Sequence, residues 1–327
     1  MSTLIVTNGT SGVNSIARIR PGDRFLSWDD VLHDGPVPSD LTLDHLSSIR
    51  ARFIAENGWA TPEEAHERFE LRDHLILSAR EEFDEIILWF EHDLYDQLQM
   101  VQILYILGLQ PRSPNARAVI SLICKENFIG MSEPDTLALD YRDRERVTPD
   151  HFQTAINIWE AFTHITPEKL VDLVHHGNLS ALPFSRAALY RLFEEYPNTH
   201  DGLSRTEHAI LESVSNGITD PIALFKTTQE LEDAQFLGDS SFWKILERMN
   251  SEPDLLLSTT DEGRFIPTEN RNVTFGLTEL GRQALAGTSG RIHTWHEKWL
   301  GGVLLGPRNF WYWDPQREAF DLYAVAR

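Results

Sequence analysis

The chain has 327 residues, with 50 acidic side chains against 29 basic ones and a formal charge of −21. Hydrophobic residues make up 41% and charged residues 24%, a globular balance that excludes a disordered polyelectrolyte and suits about two domains. One cysteine, Cys124, excludes an intramolecular disulfide and a cysteine-rich zinc site, and so acidic a chain repels phosphate unless its cations are concentrated.

The first ~125 residues alternate strand and helix patterns. Leu4-Ile5-Val6 is a short apolar run that ends at the turn signal Thr7-Asn8-Gly9. Arg24-Phe-Leu-Ser-Trp28 follows Pro21-Gly22 and ends in Asp29-Asp30. Two helical patterns come next, one from Leu43 to Asn57 with Gly58 as its C-terminal cap, the other opening with the capping box Thr61-Pro-Glu-Glu64. Ile86-Ile-Leu-Trp-Phe90 is apolar at every position, as a strand covered on both faces must be. A helix from about Leu94 to Leu107 and a fourth strand, Ala118 to Ile123, complete the series. The expected fold class is α/β: a doubly wound, Rossmann-like, mostly parallel N-terminal sheet over residues 1–147.

Residues 148–200 read as a helical connecting segment, with helix starts at Thr148-Pro149 and Thr166-Pro167 and a further helix from Ser185 to Glu195. Residues 201–327 form the last expected domain. It opens with a capping box, Ser204 to Glu207, and continues with helices near Pro221 and from Ser240 to Met249. Two strands, Leu255 to Ser258 and Val273 to Phe275, flank a polar turn at Asp261-Glu-Gly263, and a helix from Thr278 to Leu285 follows. Three helices and a hairpin make a winged-helix-like α+β unit. The aromatic runs Phe310-Trp-Tyr-Trp313 and Phe320 to Tyr323 carry no interleaved cations, so they read as core strands rather than a base-stacking platform.

Three polar clusters each follow a predicted strand: Asn8-Gly9-Thr10-Ser11-Gly12; Asp29-Asp30-Val-Leu-His33-Asp34-Gly-Pro36; and Glu91-His92-Asp93 with Asp96 and Gln97. In an open α/β sheet the carboxyl ends of parallel strands share one edge, and ligands bind in the crevice there. Parallel neighbours would therefore bring all three clusters to one site. The first cluster reads either as a tight strand-to-helix turn or as an anion cradle of backbone amides, and it matches no standard phosphate loop. His33, Asp34, Glu91, His92 and Asp93 supply the imidazole and carboxylate groups of general acid–base catalysis. A divalent metal is the other use of such groups, although the spacing matches no zinc signature. Asn8, Gly9, Ser11, Asp30 and Gln97 are the candidate ligand-binding residues. The competing reading is structural, with Asp29, Asp30 and Asp34 capping turns and Asp93 capping the following helix. Cys124 reads as a buried thiol, and His175, His176, His293 and His296 as surface or packing residues.

The long runs Leu4 to Ser11, Trp28-Asp-Asp-Val-Leu-His-Asp-Gly-Pro-Val37 and Leu88-Trp-Phe-Glu-His-Asp-Leu-Tyr-Asp-Gln97 resemble the bacterial "domain of unknown function 1835" family. Leu203 to Glu207, Phe236 to Asp239, Leu277 to Gly281 and Trp299 to Val303 are similar to the longer members of that group. The resemblance implies a bacterial, intracellular protein and assigns no catalytic residue.

The expected function is binding of a small ligand, a nucleotide or other phosphorylated molecule, at the carboxyl ends of the sheet, with hydrolysis or group transfer as the chemistry. A ligand-sensing transcriptional regulator and a protein-interaction module are the alternatives. DNA reading would fall to Lys244 and Arg248 of the third helix and Arg264 and Arg271 of the hairpin, yet residues 151–327 carry 24 acidic against 15 basic groups. No apolar run reaches the ~20 residues of a membrane span, and the N-terminus lacks the basic start of a signal peptide. The expected compartment is the cytoplasm, with no membrane partner.

Overall fold

The structure, a computed structural model, describes residues 2–111, 113–252, 255–260, 273–288, 297–306 and 309–323. It divides into two compact units, residues 1–189 with 301–303, and residues 190–300 with 304–327. The fold is α/β, and no described helix is long and apolar enough to cross a membrane.

The first unit begins β1 (Thr3–Thr7), α1 (Thr10–Ala17), β2 (Arg24–Ser27), α2 (Leu43–Glu56), α3 (Pro62–Glu82), β3 (Glu85–Glu91), α4 (Leu94–Leu109) and β4 (Val119–Lys125). A 3₁₀ turn at Ile129–Met131 leads to α5 (Pro134–Arg142), β5 (Glu145–Arg146), α6 (Pro149–Phe162) and α7 (Glu168–His176). Helix α8 (Ser185–Phe193) crosses the division between the units. The five strands stand in the order β2-β1-β3-β4-β5, parallel except for the antiparallel edge strand β5. Ile5, Ile87, Trp89 and Ile123 share a cluster with Ile16 of α1 and Leu137 of α5. Their neighbours Leu4, Val6, Ile86, Leu88 and Phe90 point to the other face by the two-residue period of a strand, and they are just as buried. Both faces are covered, which is why β3 reads as an unbroken apolar run.

Strand order fixes where a ligand can sit. From β1 the chain moves outward to β2 on one side, and from β3 it moves outward to β4 on the other. The carboxyl ends of β1 and β3 therefore border the topological switch point, the crevice where doubly wound sheets bind ligands. Register keeps the three strand ends level, with Thr7 opposite both Ser27 of β2 and Trp89 of β3. Asn8, Trp28 and Glu91 leave the sheet along one edge.

The second unit contains α9 (Arg205–Ser215), α10 (Pro221–Glu230), α11 (Asp239–Met249), an antiparallel pair of β6 (Leu257–Thr259) and β7 (Phe275–Leu277), and α12 (Glu279–Leu285). Leu211, Leu224, Phe242, Leu246, Leu257 and Phe275 form its centre. Two further strand pairs follow, β8 (Lys298–Leu300) with β9 (Val303–Leu305), and β10 (Phe310–Asp314) with β11 (Ala319–Tyr323). The aromatic side chains of Phe310 to Trp313 are buried. The turn at Asp261–Gly263, the cations Arg264 and Arg271, and His293 and His296 lie outside the described residues.

Candidate functional site at the β1/β3 edge

Glu91 is the last residue of β3, and Asp93 stands at the N-cap of α4, where its side chain accepts the Asp96 N–H at 3.1 Å. Strand, cap and first helical turn thus set three carboxylates within five residues of one another. One oxygen of each is held by a backbone amide: Asp93 Oδ1 by Asp96, Asp96 Oδ2 by Glu91 at 2.5 Å, and Glu91 Oε1 by Ile129 at 2.7 Å. Glu91, Asp93 and Asp96 each offer an oxygen within 4.8 Å of the others', the spacing of a cation's ligands. The three residues are only 6, 3 and 0% exposed.

Burial without compensating charge governs their ionisation. Loss of water pushes Asp93 up to about 7, with the nearby Glu91 carboxylate adding to the shift and the helix amides opposing it. Asp96 is driven well above the ordinary carboxylate range, first by burial and then by Asp93 and Glu91. Glu91 is raised by burial as well, against the pull of the Ile129 amide. Among the described residues, no lysine, arginine or histidine forms an ion pair with any of the three. Asn8 is the neutral contact: its side chain favours the charged forms of Glu91 and Asp96, while its Oδ1 accepts the Thr7 hydroxyl at 3.4 Å.

Around the carboxylates the sequence clusters take distinct places. The ring of His92 lies between Phe128 and Phe184, 5.9 Å from each centroid, and its buried Nδ1 has no hydrogen-bond partner among the described residues. Gln97 is buried; its amide donates to the Glu91 carbonyl at 2.7 Å and to Cys124 Sγ at 3.2 Å, and its oxygen accepts the Ser185 hydroxyl at 3.2 Å. Burial pushes the Cys124 thiol up to about 12, so it remains a thiol at neutral pH. Tyr95 donates its hydroxyl to the Asn8 carbonyl at 3.2 Å and lies against the buried ring of His33, centroids 6.0 Å apart.

Gly9, extended and without a side chain to cap it, precedes α1, whose first turn holds no acid. A Cβ at Gly12 would stand 2.6 Å from Asn8 Oδ1, so a larger residue there would displace the Asn8 side chain. Ser11 faces the 3₁₀ turn, where its hydroxyl would meet a Cβ on Gly130 at 2.4 Å.

On the β2 side the acids are engaged by the scaffold. Asp30 is fully enclosed, with Arg50 Nε 2.9 Å and Arg50 NH2 2.8 Å from its Oδ1, and Arg72 3.5 Å from its Oδ2. Asp34 accepts the Gly35 N–H at 2.9 Å, a turn that uses the positive φ of Gly35. The structure therefore gathers Asn8, Glu91, Asp93, Gln97 and the added Asp96 at one edge, places His92 and His33 beside it, and ties Asp30 and Asp34 into the β2–α2 loop. Two open grooves elsewhere, one on α2 and α3 and one on α6 and α7, use none of these residues.

In α11 the two cations of interest already have partners: Lys244 lies 3.0 Å from Glu247, and Arg248 lies 3.5 Å from Glu207. Compared with protein families and with curated proteins, the chain matches no family model and no curated protein.

Proposed function

We propose that the first unit binds a small phosphorylated ligand, with nucleotides among the candidates, at the carboxyl ends of β1, β2 and β3, and hydrolyses it or transfers its phosphoryl group. One observation carries this reading: three buried carboxylates meet at the sheet's topological switch point, and a backbone amide to each supplies no full charge to offset them. In this reading the amides at the start of α1, beyond Gly9, hold the ligand's anionic group, with Asn8 and Ser11 beside them. His92 moves the proton. In the hydrolytic case a water oxygen bonds to phosphorus, His92 takes the water's proton, and the bond to the leaving oxygen breaks.

The family resemblance and a cytoplasmic setting belong to the same proposal. For the second unit we propose a winged-helix-like arrangement, supported by the element order α9-α10-α11-β6-β7. DNA reading gains nothing from it, because Lys244 and Arg248 are spent on acids of their own unit.

A thermal-unfolding screen against nucleotides, sugar phosphates and inorganic phosphate tests the proposal. At least one compound is expected to raise the melting temperature of the wild type and not that of the Glu91→Ala/His92→Ala variant, since a ligand stabilises only the state that binds it. Equal shifts in wild type and variant would contradict the placement of the site.

A further inference from the structure

We infer that Glu91, Asp93 and Asp96 together hold one divalent cation of the hard, oxygen-seeking class, magnesium or manganese. The inference deepens the proposed function and rests on it only for what the cation would do to a bound phosphate. Cation binding itself is argued from the three side chains.

Hard divalent cations bind oxygen at about 2.0–2.2 Å, so two ligand oxygens on one ion stand about 3–4.2 Å apart. The oxygens of the three carboxylates lie within 4.8 Å of one another, so a small contraction about one ion brings them to that spacing. The second observation is Asp96 itself. Its side chain is completely enclosed, yet Oδ1 meets no hydrogen-bond donor among the described residues. Its charged neighbours are Asp93 and Glu91, two further anions, with only the neutral Asn8 side chain and the Glu91 amide to favour its charge. A buried acceptor without a partner is costly, the more so when charged, and a cation at this point removes that cost.

Preorganisation points the same way. A backbone amide clamps one oxygen of each residue, which fixes the carboxylates in place before any cation arrives. Lys125, opposite Glu91 on β4, is the nearest cation by register, and among the described residues it forms no ion pair with the three acids. The cluster offers oxygen only, and Cys124 is a protonated thiol engaged with Gln97, so a soft metal gains no thiolate there. A cation held here would carry positive charge to the edge where the α1 amides face. An anionic ligand could then approach three carboxylates.

The test uses the full chain, stripped with chelator and titrated with manganese alone at pH 7.5, reading free manganese by its paramagnetic resonance. One equivalent is expected to bind and to be displaced by magnesium. Asp96→Asn and Glu91→Gln keep an oxygen for the Glu91 and Ile129 amides, so both should fold, as circular dichroism would verify. Each is expected to weaken manganese binding by at least about tenfold, while Asp172→Asn, an exposed acid on α7, leaves it unchanged. Absence of binding up to millimolar manganese, or binding indifferent to both substitutions, would overturn the inference. Because no phosphate compound is present, failure here is separate from failure of the ligand screen.

Discussion

Replacing Arg50 with alanine is expected to cost about 3–5 kcal/mol of stability, the range found when one partner of a buried ion pair is removed. Arg50 is completely enclosed. Its guanidinium grips Asp30 through two nitrogens and donates to the carbonyls of Val31 and Asp34, each at 2.8 Å, while its plane covers the Phe53 ring at 4.9 Å. Truncation would leave Asp30 charged in the core with only Arg72, at 3.5 Å, and would free the loop that leaves β2. Arg50→Lys is expected to recover little, because an ammonium cannot serve a carboxylate and two carbonyls in one plane. Denaturant unfolding measures the loss, and Trp28, buried on the same loop and bonded to Gln102 at 2.8 Å, supplies a fluorescence signal. A loss below about 1 kcal/mol would show that the loop does not depend on this side chain.

The second large effect has the opposite sign. In chelator-treated protein at pH 8, Asp93→Asn is expected to be more stable than wild type by on the order of 4 kcal/mol. At pH 4 the difference is expected to vanish. Asp93 titrates near 7 in the folded chain against 3.8 ordinarily, so the native state binds its proton more tightly than the unfolded state does. A carboxyl raised in this way contributes most at low pH, and stability falls as pH rises from about 4 to about 7. Asparagine removes the charge and still caps α4, since Asn and Asp serve N-caps about equally well. Carboxylates held below the usual range elsewhere, Glu85 by Arg144 and Asp201 by His208, act in the opposite direction in both proteins and cancel in the difference. Unfolding curves at a series of pH values would measure it. A gap independent of pH would mean that burial does not raise Asp93 as described.

Several features of this edge were legible in the sequence, and the reasons are particular. The run Ile86 to Phe90 announced a doubly covered strand because no position could tolerate water, and Asp93 announced a cap because it preceded a helix that needed one. The α/β class followed from strands alternating with helices. Other parts were beyond reach. Helix α1 begins inside a stretch rich in glycine and hydroxyl residues that reads locally as a turn, and packing of Ile16 into the sheet core makes it helical. Strand β5 is a two-residue polar edge with no apolar alternation to give it away. Asp30 looked available for a ligand because its partner, Arg50, comes twenty residues later on a helix whose packing the sequence does not state. Asp96 stood in the right cluster from the start. Its weight became visible only when the bend from β3 into α4 brought its carboxylate back beside Glu91.

The central question is whether the carboxyl edge of β1 and β3 is a binding centre. The most direct measurement is anomalous diffraction from crystals of the full chain soaked with manganese and with the phosphate compound that most raises the melting temperature. One anomalous peak bonded to Glu91, Asp93 and Asp96 is expected, with the compound's phosphate beside it and against the start of α1. A map with no peak at these side chains, or with the compound bound elsewhere on the chain, would contradict it.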